Sequence, residues 1–238
     1  MNYEAEDLGA GIPDEGREEK IKILSSLFYS GCFVLFLWII YFVQWAAQVD
    51  LSVFGVLPRK ATGLTGILTA PLIHADLSHL FSNSTTLFLL LFGILYFYRS
   101  SAIKVFFIIY IFDGILVWLF ARGSYHIGAS GLVYGFAGFL FFSGLFRKDK
   151  RSMALSLLIV FLYGGMVWGV LPTDPKISFE SHLFGAIVGI ACAFIFRKND
   201  PPPKYEWEEE DDDEYDDGKN TDEIIIDDDA EPEDFRRN

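Results

Sequence analysis

Six long apolar runs limit what this chain can fold into. They cover residues 23–49, 79–98, 102–121, 130–146, 153–171 and 179–196. A run of about 17 to 25 apolar residues is long enough to cross roughly 30 Å of hydrocarbon as a helix. The pattern predicts an all-α membrane protein built as a bundle of six transmembrane helices.

Charge placement supports this reading. The chain has a net charge of -13 and yet a positive mean hydropathy of +0.31. The two agree only if charge is segregated, and residues 204–238 hold 18 of the 32 acidic and 4 of the 19 basic residues. What remains is nearly neutral and strongly apolar, as expected of a polytopic membrane protein. The first apolar run is too long for the core of a signal peptide and follows a polar, acidic start, so the first helix is expected to stay. Cys32 and Cys192 fall inside apolar runs without metal-type spacing and read as small packing residues.

Basic residues in short loops favour the cytoplasmic side. One side collects Arg17, Lys20, Lys22, Arg99, Lys104, Arg147, Lys148, Lys150, Arg151, Arg197 and Lys198, against Arg59, Lys60, Arg122 and Lys176 on the other. Both termini are therefore expected in the cytoplasm. Trp45 and Tyr98, near span ends, and Tyr110, within the third run, read as interfacial anchors. The predicted organisation is a cytoplasmic segment over 1–22, the six-helix domain over 23–198 and a disordered acidic cytoplasmic tail over 199–238. Pro201, Pro202 and Pro203 stiffen the start of that tail, which buries too little apolar surface to fold and offers a surface for a basic cytoplasmic partner. Residues 50–78 contain Gly55, Pro58, Gly63, Gly66 and Pro71. They are too broken to span and too apolar to float in water, so they are expected in the outer interface against the bundle.

In this topology the second, fourth and sixth spans start at the outer face, and each carries polar residues in its first turns. His79 and Asn83 are spaced i, i+4 on one face of the second. Ser130 opens the fourth, flanked by Gly128 and Gly131, and His182 lies about one turn into the sixth. Ionisable residues inside a membrane are costly and face a partner or a water-filled cavity. Their shared depth favours one site. There, His182 is the candidate base for Ser130, and Asn83, the Ser130 backbone N–H and His79 are candidate donors to an oxyanion. Glu180 falls on a different face from His182, so a dyad fits better than a triad. Gly131, Tyr134, Gly135 and Gly138 on the fourth span, and Gly185, Ala186, Gly189 and Ala193 on the sixth, form small-residue faces that permit close helix contact. Tyr134 would be a platform for the imidazole, and a bulky residue at Gly185 should hold Ser130 and His182 apart.

The segment Gly128-Ala129-Ser130-Gly131, with His74, His79 and Asn83 on one side and His182, Gly185 and Gly189 on the other, resembles the rhomboid family of intramembrane serine proteases. The resemblance covers residues 23–196. It implies a six-transmembrane-helix rhomboid-like bundle with an interfacial first loop, hydrolysing peptide bonds in or beside the transmembrane helices of other membrane proteins. By that match Ser130 is the nucleophile, His182 its general base, and His79 and Asn83 assist at the oxyanion. Gly128, Gly131, Tyr134 and Gly185 support them. No metal, organic cofactor or nucleic acid is expected, and the architecture resembles the minimal bacterial type, in an inner (plasma) membrane. The chain departs from the family's usual Trp-Arg pair near Leu57-Pro58-Arg59, and has Ala70 where some members carry a further histidine. Asp113 reads as a satisfied polar residue inside the third span, and His126 as a loop-packing residue. The rival expectation is a rhomboid-like protein that binds transmembrane helices without cutting them; a small-solute transporter is more distant, because no inverted repeat is visible.

Overall fold

The computed structural model describes residues 15–173 and 177–201. Apart from one isolated antiparallel bridge between Val56 and His126, their regular structure is helical. The helices are α1 (Glu15–Ala47), α2 (Gly66–Thr69), α3 (Leu77–Phe97), α4 (Ala102–Phe120), α5 (Ser130–Arg147), α6 (Lys150–Tyr163) and α7 (Phe179–Ile195). Among the described residues, five stretches are long and apolar enough to cross a membrane: Gly16–Ala47, Leu77–Phe97, Ala102–Phe120, Ser130–Arg147 and Lys150–Val170. The apolar α7, with 17 residues, is shorter, about 25 Å at 1.5 Å per residue.

Two expectations about helix limits are corrected. The first helix begins at Glu15, before the apolar run starts at Ile23, because acidic and basic residues continue a helix in water as readily as apolar ones do in lipid. The run 153–171 is not one α-helix. The α-helix stops at Tyr163 and a 3₁₀ segment, Gly164–Val170, follows. Gly164 and Gly165 sit at the change, where two low-propensity residues weaken the α-helix and let the backbone tighten.

At the centre stands α5, with Phe136, Phe139 and Leu140 fully buried. Its contact with α7 is backbone against backbone. A Cβ added at Gly185 would overlap the Gly131 carbonyl, and one at Gly189 the Gly135 carbonyl. In return, a Cβ at Gly135 would lie 3.1 Å from the Gly185 carbonyl oxygen, and one at Gly138 3.1 Å from that of Ala186. Such faces suit lipid, where close van der Waals contact holds helices together. The opposite end of α5 is tied down by Arg147, which donates to the Phe196 and Asp200 carbonyls at 2.9 Å each and lies over the Tyr98 ring.

On the other side of α5, α3 packs through Leu80, Leu87 and Leu90, and α1 joins α3 from outside with the Trp38 indole donating to Ser84 Oγ at 3.0 Å. Residues 50–76 form short helical turns folded against α4. Arg59 Nη1 donates to the carbonyls of Leu119 and Ala121, the Trp118 indole donates to the Lys60 carbonyl, and a Cβ at Gly114 would come within 3.1 Å of Ile67. Arg59 thus fastens this loop to the end of α4. Of the predicted tail over 199–238, residues 202–238 lie outside the described residues, as do the N-terminal residues before Glu15.

If the glycine seam holds α5 to α7, Gly189→Leu should lower stability by at least about 1–3 kcal/mol, the cost of overpacking. Phe161→Ala, at a side chain 85% exposed on the lipid-facing surface, should change it little. Thermal unfolding of the two variants in the same detergent measures the difference.

Candidate active site

The site is built where three helix starts meet. Asp76 caps α3, its Oδ1 accepting from the His79 amide at 2.8 Å. That places His79 and Asn83, one turn apart, against the loop that enters α5. Gly128 adopts φ +106°, a conformation side chains rarely tolerate, and a Cβ there would stand 2.7 Å from His79 Nε2 and 3.7 Å from Asn83 Nδ2. Both constraints call for glycine. The loop is also held through its amides: Gly128 N–H donates to the Ala70 carbonyl at 2.9 Å, and Ala129 N–H donates to His74 Nε2 at 3.4 Å. His74 and His79 meet edge to face, with ring centroids 5.1 Å apart.

Ser130 is the first residue of α5, and no side chain caps this helix start. The first amides of a helix have no intrahelical acceptor, so they remain available as donors. Asn83 is buried, and its Nδ2 has no hydrogen-bond partner among the described residues. A donor left unsatisfied in this way is costly in packing terms and suits an acceptor that arrives later.

His182, in the first turns of α7, is fixed on two sides. Its ring stacks on Tyr134, with centroids 4.1 Å apart and planes 9° from parallel. Its Nδ1 lies 2.8 Å from the Gly169 carbonyl. A carbonyl only accepts, so a neutral His182 carries its proton on Nδ1 and leaves the Nε2 lone pair free. Tyr134 is held in turn, its hydroxyl donating to the Met166 carbonyl at 2.9 Å. Both carbonyls come from the 3₁₀ segment after α6. No residue pattern singled out Met166 or Gly169 beforehand; the glycines at 164, 165 and 169 were the only available sign of irregular backbone.

Ser130, His182, His79, Asn83, Tyr134 and Met166 line one cavity of about 670 Å³. No hydrogen bond joins Ser130 to His182 in this arrangement. Catalytic hydrogen bonds are often long before substrate binds, so shared lining is the relevant observation. Gly185 leaves no room for a side chain against the Gly131 carbonyl.

The mouth of the cavity is formed by the loop between α4 and α5 and the residues leading into α7. His126 does more there than pack. It is buried, pairs with Val56 through the backbone, and contacts Ser178 Oγ through Nδ1 at 2.6 Å and the Arg122 carbonyl through Nε2 at 3.1 Å. Burial pushes its pKa down. Arg122 pairs with Glu180 at 3.5 Å and donates to the Ile177 carbonyl at 2.5 Å. Glu180 is therefore engaged by Arg122 and makes no hydrogen bond to His182 among the described residues. Asp113 is only half satisfied: Oδ2 accepts from Ser181 Oγ at 2.9 Å, while Oδ1 has no partner among the described residues. The Ser181 bond gives one of its two oxygens the partner expected of a satisfied polar residue.

A helical membrane protein that brings a serine, a histidine and an unsatisfied amide donor to one cavity is the class defined by these features. The chain belongs to the rhomboid family, since the Rhomboid domain model matches residues 61–199. It is 34% identical over 172 residues to an uncharacterized protein of Mycobacterium tuberculosis, covering 68% of this chain and 72% of that one. An uncharacterized protein of Mycobacterium leprae is 33% identical over 172 residues, covering 68% of each. A Bacillus subtilis protein named "Putative rhomboid protease YdcA" is 29% identical over 139 residues, covering 54% of this chain and 65% of that one. The chain is thus an integral membrane protein with bacterial relatives.

His74 provides a pH test of the loop that carries Ser130. Burial pushes its pKa down to about 4, from an unfolded value of about 6.5. A depressed histidine favours the fold fully above the unfolded value. That contribution is lost as pH falls from about 6.5 to about 4, because the unfolded chain binds the proton first. Protonation also removes the Nε2 lone pair that accepts from Ala129. The melting temperature should fall over this window, and His74→Gln should flatten the fall, as read by thermal melts across pH.

Proposed function

We propose that this chain is an intramembrane serine endopeptidase, cutting peptide bonds in or next to the transmembrane helices of other membrane proteins. The observation that carries the reading is the fixed His182 ring, its Nδ1 on the Gly169 carbonyl and its face on Tyr134, on the same cavity as Ser130. Membership of a family whose members are generally serine proteases supports it.

In the proposed reaction His182 Nε2 takes the Ser130 hydroxyl proton as Oγ bonds to the substrate carbonyl carbon. The oxyanion formed receives hydrogen bonds from Asn83 Nδ2, the Ser130 backbone N–H and the His79 ring. The C–N bond then breaks, and the leaving amine takes the proton from His182. Water from the outer face repeats the sequence on the acyl-enzyme, releasing the second product and restoring the serine. No metal or organic cofactor is required. Gly128 and Gly131 let the His79 ring and the α4 and α7 side chains lie against the Ser130 turn, and Gly185 lets α7 approach it. The substrate helix enters from lipid, both termini lie in the cytoplasm, and the membrane is a bacterial inner membrane. The acidic tail is proposed to meet a basic cytoplasmic partner.

The second reading is a rhomboid-like protein that binds transmembrane helices without cutting them. The missing hydrogen bond between Ser130 and His182 is the observation in its favour. A fluorophosphonate probe separates the two: purified, detergent-solubilised wild type should label, and Ser130→Ala and His182→Ala should not while remaining folded. Asn83→Ala should slow cleavage of a transmembrane substrate at least about tenfold, and by up to about 10²–10³-fold if it is a full oxyanion donor. A folded wild type that fails to label would favour the helix-binding reading.

A further inference from the structure

We infer that Asp113 is a positioning residue that sets the separation of Ser130 and His182 by bonding Ser181 and bearing on Gly131; this rests on the protease reading above. Its carboxyl group sits where α4, α5 and α7 converge. Oδ2 accepts from Ser181 Oγ at 2.9 Å. A Cβ on Gly131 would overlap that same Oδ2 and lie 2.7 Å from Asp113 Cγ and 2.5 Å from Ser181 Oγ. The carboxyl and the hydroxyl bonded to it therefore rest directly on the Gly131 α-carbon.

The sequence neighbours make this contact chemically relevant. Gly131 follows the proposed nucleophile, and Ser181 precedes the proposed base. One side chain on a third helix thus touches the residue beside each member of the dyad. Asp113 itself does not line the cavity that holds them. The restraints described above act differently. Tyr134 sets the plane of the His182 ring and Gly169 sets its proton, but a directed bond to Ser181 fixes how far α7 is turned toward α5.

A bland packing role accounts poorly for an acid here. Asp113 is only 7% exposed, at a depth where a polar group is expensive, and its Oδ1 remains unpartnered among the described residues. An aliphatic side chain would fill space at lower cost. Only an oxygen acceptor gives Ser181 a directional partner.

Misplacing a reacting group by about 1 Å can cost about a hundredfold in rate. The test is the labelling rate with a fluorophosphonate probe, together with kcat and KM for a transmembrane substrate, on full-length variants in detergent. Asp113→Ala should reduce labelling and kcat at least about tenfold, with KM within about twofold of wild type, because substrate does not touch the carboxyl. Asp113→Asn keeps an oxygen acceptor for Ser181 and should recover most of the rate. Ser181→Ala removes one oxygen atom and carries the test if Asp113→Ala does not fold. It should match the Asp113→Ala loss, and the double variant should be no slower than either single one. Folded single variants that label at the wild-type rate, additive losses in the double variant, or an Asp113→Asn as slow as Asp113→Ala would each overturn the assignment. A folded wild type that does not label overturns the protease reading and this assignment with it, so the two failures are distinct.

Discussion

The close approach of α5 and α7 is the contact on which the rest depends. Between the Gly131 and Gly185 pair and the Gly135 and Gly189 pair, carbonyl oxygens of one helix lie against α-carbons of the other. Lipid offers no hydrophobic incentive for two apolar helices to associate, so contact has to come from shape. That contact also brings the residues at the two helix starts together. Ser130 and His182 share a cavity because the glycine seam below them leaves no room for side chains. The peripheral parts reach this centre indirectly: α1 bonds α3 through Trp38, and the loop over residues 50–76 bonds the end of α4 through the pair made by Arg59.

A polar cavity within a hydrocarbon-facing bundle has to be supported. Here the support is mostly backbone. The loop before Ser130 hangs from the Ala70 carbonyl and His74, His182 from the Gly169 carbonyl, and Tyr134 from the Met166 carbonyl. Irregular backbone within a membrane bundle is tolerated where it lines a cavity, as the α4–α5 loop does through Arg122, Tyr125 and Ile127 and the 3₁₀ segment through Met166 alone. Groups left without partners, Asn83 Nδ2 and Asp113 Oδ1, lie within a few residues of the proposed chemistry in space. Other unpartnered buried atoms, such as Ser30 Oγ on α1 and Ser143 Oγ on α5, lie away from this cavity, so it is the chemistry of an amide donor beside Ser130 that matters here.

The sequence disclosed the parts of this site that interrupt an apolar pattern. His79, Asn83, Ser130 and His182 stand out because each is a polar residue early in a hydrophobic run. Tyr134 and Gly185 were placed by helical spacing from them. Helix limits were less legible. Hydropathy marks the apolar run from Ile23, whereas α1 continues through charged residues back to Glu15. In the fifth run, apolar residues continue through Gly164–Val170 although the α-helix does not. The partner of Asp113 was invisible for another reason: Ser181 is 68 residues away, and no local pattern announces a bond between two spans. The pairing of Glu180 with Arg122 was hidden likewise, because Arg122 comes from the loop after α4, 58 residues away.

The hydrogen bond from His182 to Gly169 has a further implication. The acceptor is a main-chain oxygen, and every amino acid has one. Exchanging the side chain at that position leaves the acceptor in place, while any added Cβ collides with the Tyr134 hydroxyl. Alanine scanning would therefore register steric damage at residue 169 and remain blind to the electronic role of its oxygen. The tautomer of His182 is governed by a group with no codon of its own. Genetic variation can reach it only by bending the chain, and direct control would take chemistry on the backbone itself, such as replacing the following amide by an ester to weaken that carbonyl as an acceptor.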